Sequence, residues 1–280
     1  MRGKFRDDDT GFVKLLSLGI RVSPRDPVLR NERAMLYAAL GDVEDALRDW
    51  GVAIDSAVYP QLFRFRRAEG MWKFGRDREA LEELEALTVE LLPGGSHVSK
   101  VTDDLSNTND YSADTNLVAF QKIVSLRAEV YLLQIQIHST RPDLDAAFRI
   151  ANEWVDVDIQ FGEPLLERAK ILSMMGRDAD ALNDLNRAVL LAQQHEGGEI
   201  GRLSRTALLR RAALNIQRDE AELAMLDIDR VAEVESPEFI QSIQSQLTLD
   251  GLFDGEINGI YTPETRAAML TCIATGMCDP

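Results

Sequence analysis

A spacing of 34 residues constrains this chain more than anything else in it. Ala34, Tyr37, Gly41, Ala46, Trp50 and Ala53 return as Ala68, Met71, Gly75, Ala80, Leu84 and Leu87. The same internal spacing recurs in Ala169, Leu172, Gly176, Ala181, Leu185 and Ala188, and more weakly in Ala212, Asn215, Asp219, Ala224, Ile228 and Val231. A fifth copy is distorted. Ala128 and Tyr131 open it, Ala147, Ala151 and Trp154 close it, and seven extra residues around 137–144, Pro142 among them, predict a longer turn. Each unit is an apolar segment of helical period, a turn and a second such segment. The alanines let two antiparallel helices approach, while Trp50, Leu84 and Leu185 fill the space to the next pair. Gly41, Gly75 and Gly176 suit the left-handed backbone that ends a helix. One such pair cannot bury its apolar face alone, so pairs must stack.

In period and residue type this pattern resembles the tetratricopeptide repeat, over residues 12–235. The resemblance implies an all-α solenoid of helical hairpins: a half repeat at 12–26, then repeats near 27–60, 61–92, 115–160, 162–195 and 205–235. The half repeat rests on Phe12, Leu16 and Gly19, with Pro24 and Pro27 as its terminator, and points either to natural residues upstream of Met1 or to a mis-called gene start. Residues 93–114, rich in Gly, Ser, Thr, Asn and Asp, are expected to form a flexible loop. In the family, the first helices of successive pairs line a concave surface that takes peptides. Those positions here hold Asn31 and Met35, then Phe65, Glu69, Trp72 and Lys73, then Lys170 and Ser173, which form the candidate partner-binding groove. Trp72 suits packing against the next repeat at least as well as binding. The Lys and Asn pattern of the family's carboxylate clamp is not present at Asn31, Met35, Phe65 and Glu69, so that mode is not expected.

After Glu235 the character changes: residues 236–280 contain one basic residue, Arg266, among a run of acids. Ser236-Pro237-Glu238 reads as a capped helix start. A glycine-bearing loop over 252–261 follows, and Thr262-Pro263-Glu264 caps a second helix. Ile243, Gln244, Leu247, Gly251, Leu252, Phe253, Gly255, Ile257, Asn258, Gly259, Ile260, Tyr261, Pro263, Thr265 and Ala268 together resemble the peptidoglycan-binding-like domain of bacterial wall proteins. The matched span is shorter than the family's length. Most of these positions read as structural, with Thr265 tying the loop to the second helix. The resemblance implies an oxidising compartment, in which Cys272 and Cys278 would close a short disulfide loop; two unpaired thiols in a frayed tail is the other reading.

Composition narrows the remaining possibilities. The 280-residue chain has a formal charge of −16, which repels phosphate backbones, and its basic residues are scattered, so nucleic acid is not an expected partner. Its apolar runs are too short for a membrane span. Asp7, Asp8 and Asp9 occupy the place of a signal peptide's apolar core, so no export signal is read. Asp254, Glu256, Asn258 and Gly259 start like a calcium loop, but Thr265 stands where the bidentate Glu belongs. His97, His138 and His195 have no paired spacing, so no metal or cofactor site is expected. No catalytic motif is present, and the chain is read as a non-enzyme. These readings lead to a non-catalytic, periplasmic adaptor of a bacterial envelope. Its solenoid recruits a protein or peptide and its C-terminal module docks on peptidoglycan or a wall-linked protein. The alternatives are a cytoplasmic scaffold in which that module only caps the last repeat, and a regulatory part of a longer enzyme.

Overall fold

The computed structural model describes residues 4–107, 113–141, 143–195 and 200–275. Among them the chain is all-α, with fourteen helices and no strand. It divides into two compact units, Met1–Ile150 and Ala151–Pro280. The first holds α1 (Lys4–Val22), the hairpin α2 (Pro27–Leu40) and α3 (Val43–Ser56), the hairpin α4 (Gln61–Lys73) and α5 (Asp77–Leu91), then α6 (Ser96–Asn107) and α7 (Ala113–Thr140). Helix α8 (Leu144–Val157) runs across the boundary. The second unit holds the hairpin α9 (Glu163–Met174) and α10 (Asp178–His195), the hairpin α11 (Arg202–Gln217) and α12 (Ala221–Ala232), and a last pair, α13 (Pro237–Leu249) and α14 (Pro263–Thr275).

The repeat positions behave as their size dictates. Ala34, Ala46, Ala68, Ala80, Ala169, Ala181, Ala212 and Ala224 are all buried where two helices meet. Between hairpins, the Trp50 ring lies so close to Gly70 that a methyl group there would stand 2.4 Å from it. Trp50 on α3 therefore seats against bare backbone on α4, with nearly all of its apolar area removed from water. Gly41, Gly75 and Gly176 take φ values of 87°, 74° and 71°, the left-handed geometry their turns need. The fourth copy places Asp219 at the same position with φ of 59°, and among the described residues no other non-glycine has positive φ.

One arginine closes each regular hairpin. Arg33, Arg67, Arg168 and Arg211 sit just before the first conserved-spacing alanine, and each reaches a carboxylate 16 residues on. Arg33 Nε and Nη2 donate to Asp49 at 2.6 and 2.8 Å, Arg67 Nε and Nη2 to Glu83 at 2.8 and 2.7 Å. Arg168 Nε and Nη2 both donate to Asp184 at 2.7 Å, and Arg211 Nε donates to Asp227 at 2.8 Å. Asp49, Asp184 and Asp227 are only 1, 3 and 2% exposed. The remaining nitrogen reaches back to the preceding second helix: Arg33 Nη1 to Ser17, Arg168 Nη1 to Asn152 and Arg211 Nη1 to Asn186. Arg33, Arg168 and Arg211 thus each tie three helices, and Arg67 two, with a planar, bidentate fork that lysine cannot reproduce. Hydrogen bonds to Asp49, Asp184 and Asp227 hold Arg33, Arg168 and Arg211 above their ordinary pKa, against the opposing effect of burial.

The structure departs from the sequence expectation in three places. Residues 96–107 are helical rather than part of a flexible loop, because Val98 and Val101 pack on the cluster of Phe65, Leu84, Leu87 and Leu91. The extra residues near 137 lengthen α7 instead of its turn, since Ile137 continues the buried row of Val130 and Leu133; Pro142 lies outside the described residues. In α1 the packing face carries Leu16 and Ile20, with Leu29 closing on Gly19, whereas Phe12 points outward. The distorted repeat also lacks the clasp. Ile150 stands where the acid would be, and Arg127 Nη1 donates to the Leu91 carbonyl at 3.0 Å.

Helix α6 is pinned at its start by His97, whose ring meets Tyr59 edge-on at 5.7 Å between centroids. Lys100 Nζ lies over the Tyr59 ring, 5.3 Å from its centroid, and donates to the Val58 carbonyl at 3.1 Å. Burial pushes the His97 imidazole below its ordinary pKa of 6.5; Glu90 opposes this and Lys100 adds to it.

Two outcomes follow from these contacts. Replacing Asp219 by Gly removes the steric cost of the left-handed turn and is expected to raise stability by about 0.5–1 kcal/mol. That appears as a rise of a few degrees in the melting temperature by circular dichroism; an unchanged or lower value would contradict the turn reading. His97, with its folded pKa depressed, contributes stability that is present above the unfolded value near 6.5 and is lost as pH falls through the folded value. Hydrogen exchange at pH about 7.5 and about 5 is expected to show α6 losing protection relative to α4 on acidification. His97→Phe is expected to remove that difference, and equal acid sensitivity of the variant would refute the role given to His97.

Candidate functional site

Helices α9 and α11 are the first helices of consecutive hairpins, and their facing sides leave a groove of ≈ 350 Å³. This lies at the small end of the roughly 300–1,000 Å³ typical of binding clefts. Its floor is apolar: Ala169 from α9, Leu185 from α10, and Ala213 and Leu214 from α11. Its rim carries Lys170, Ser173 and Met174 on one side and Arg210 and Gln217 on the other. The lining positions on α11 are 210, 213, 214 and 217, one stripe of helical period. Two alanines among the lining residues keep the space open. Arg210 is committed, with Nη1 donating to the Leu166 carbonyl at 2.8 Å and Nη2 to Glu167 at 3.1 Å. Lys170 is exposed and makes no ion pair or side-chain hydrogen bond among the described residues, and the same holds for hydrogen bonds of Ser173 and Gln217.

Of the groove residues expected from sequence, only Lys170 and Ser173 line this space. Asn31 is buried, its carbonyl oxygen accepting from Trp50 Nε1 at 3.1 Å, so it serves the core and not a partner. Phe65 is also core, packed with Leu84 and Leu87, because its side of α4 faces α5 and α7. Trp72 packs half-buried against that cluster. Met35 is exposed, while Glu69 is held by Arg66 at 3.1 Å and by Lys73 at 2.6 Å. Sequence reasoning missed Ala213, Arg210 and Gln217, although their spacing of three and four residues marks them as one face.

In the C-terminal pair, Gln244 is fully buried and acts as the hub of the 252–261 loop. Its Oε1 accepts from the Asn258 and Gly259 amides at 3.1 and 3.0 Å, and its Nε2 donates to the Ile260 carbonyl at 2.9 Å and Thr265 Oγ1 at 3.1 Å. Gly259 has φ of 76°, and a side chain there would strike the Pro237 carbonyl. Leu247, Phe253, Ala268 and Cys272 form the small core. Gly251 ends α13 with a left-handed turn, Pro263 starts α14, and Gly255 leaves room for the Phe253 ring. Tyr261 does not stay within the pair: its hydroxyl donates to Asp229 on α12 at 2.7 Å, and Arg266 Nε donates to the same carboxylate at 2.8 Å. Burial, reinforced by the bond to Asp229, pushes the Tyr261 phenol well above its ordinary range. Cys278, the expected partner of Cys272, lies outside the described residues.

Among the described residues no group of His, Cys, Asp and Glu side chains is arranged to hold a metal, and no helix is long and apolar enough to cross a membrane. The architecture is a series of helical hairpins followed by a small helical pair. Solved structures of similar fold include MamA, at 9% identity over 69% of this chain and 94% of that one, with a TM-score of 0.44. A tetratricopeptide repeat protein from Parabacteroides merdae ATCC 43184 is 16% identical over 81% of this chain and 73% of that one, with a TM-score of 0.43. YrrB, described as a TPR protein with an unusual peptide-binding site, is 11% identical over 79% of this chain and 92% of that one, with a TM-score of 0.41. No protein-family model and no curated protein matches the sequence.

Proposed function

We propose that the chain is a non-catalytic adaptor that holds a segment of another protein against the first helices of its hairpins. The α9–α11 groove carries this reading: an apolar floor kept open by two alanines, edged by Lys170, Ser173 and Gln217, whose polar ends have no partner among the described residues. A protein that used this space only for packing would fill it. The α13–α14 pair is read as a cap on the last hairpin. This is favoured by Tyr261 and Arg266 converging on Asp229 of α12, and by Gln244 spending both ends of its amide on the pair's own loop. The wall-docking role, periplasmic residence and a Cys272–Cys278 disulfide belong to a second reading, which rests on the sequence resemblance of residues 243–268.

A photo-crosslinking residue at position 173, in the protein expressed in its natural host, tests the adaptor. A discrete adduct with another protein is expected there and not from the same residue at position 183, on an exposed part of α10. Equal labelling at both, or none at 173, would contradict it. Pelleting with insoluble peptidoglycan separates the readings of the last pair. The oxidised protein is expected to stay in solution, whereas sedimentation that is lost in a variant ending at Glu235 would replace the cap by the wall-docking module.

A further inference from the structure

Resting on the adaptor reading, we propose that the α9–α11 groove takes an extended segment of the partner that sets a large apolar side chain on the floor and an acidic side chain on Lys170. Three features of the groove combine to select this ligand.

The first is size. The α11 lining runs from Arg210 to Gln217, seven residue steps or about 10 Å of helix at 1.5 Å per residue. That accommodates about three residues of extended chain, and the space between Ala169 and Ala213 is suited to one bulky side chain. The second is hydrogen bonding. Ser173 on one wall and Gln217 on the other have uncommitted polar ends, placed to meet backbone carbonyls and amides that an extended segment exposes. The third is charge. Arg210 is paired with Glu167 and hydrogen-bonded to the Leu166 carbonyl, whereas Lys170 has no acid partner among the described residues, leaving one uncompensated positive charge beside the apolar floor. A free chain terminus would present a carboxylate to several donors; a single ammonium on a flexible stem suits one side-chain carboxylate of a segment that passes through.

The net charge of −16 sharpens the specificity further. Acids more than about 8–10 Å away are largely screened at physiological salt, so Lys170 governs the contact, but the overall field slows the approach of an acidic partner. The segment recognised is therefore one isolated Asp or Glu next to a large apolar residue, in otherwise neutral or basic surroundings.

Selection of a phage-displayed random dodecapeptide library on the immobilised full chain tests this. Enriched sequences are expected to pair Leu, Ile, Met or Phe with Asp or Glu within two residues. The synthetic peptide is expected to lose about fivefold to tenfold in affinity against Lys170→Glu, as for a partly exposed ion pair. Changing the peptide's acid to Lys is expected to restore binding to that variant. Ala213→Leu, which fills the floor, is expected to weaken binding to the chain whatever the peptide's charge; unaltered melting temperatures exclude unfolding as the cause. Enriched sequences without an acid, or affinity unchanged by Lys170→Glu, would overturn the proposal. A failure to enrich any peptide would also overturn it, and the adduct at position 173 then shows separately whether the adaptor reading survives.

Discussion

The bidentate arginine inside each regular hairpin is the contact on which the rest of the structure depends. Alanine lets the two helices come close, but small apolar residues do not fix how one helix is rotated against another. Arg33, Arg67, Arg168 and Arg211 do so, each gripping a carboxylate of the return helix, and three of them also reach the helix before. Removing either partner would leave a charge with little solvent, which is far less favourable than an intact pair. The clasp thereby sets the distance between first helices of successive hairpins, and the α9–α11 groove is the space that this distance leaves. Two of the four clasps, Arg168–Asp184 and Arg211–Asp227, stand on the helices that line it.

The last helical pair uses the same kind of chemistry for a different end. Gln244 satisfies a loop that has no regular structure of its own, so a chain segment too short for a large core still holds one shape. Asp229 then joins that pair to α12 through Tyr261 and Arg266.

The helical hairpins and their turns were legible in the sequence because Ala34, Ala46, Gly41 and their counterparts carry a size or backbone requirement that recurs. Asp219 shows how far that reasoning extends, since it takes the turn geometry of the glycines it replaces. The clasp lay in the same register, one residue before each alanine, but charged residues on helices read by default as a solvated face. Helix α6 was hidden by its composition: Ser, Thr and Asp favour loops locally, and only the tertiary contacts of His97, Val98 and Val101 make the segment helical. The groove was half legible. Lys170 and Ser173 follow from their place in the repeat, whereas Asn31 and Phe65 stand at the position that Leu166 fills in the α9–α10 hairpin, and all three are buried. The period marks the first helices of the hairpins but not which of their positions stay uncovered.

A double-mutant cycle on Arg168 and Asp184, with Arg168→Met and Asp184→Leu measured by urea unfolding, tests the central role of the clasp most directly. Each single change is expected to destabilise the protein by about 3 kcal/mol or more, and the double change by much less than their sum, leaving a coupling above about 2 kcal/mol. Single changes that each cost under about 1 kcal/mol and add without coupling would show that the hairpins are held by apolar packing alone.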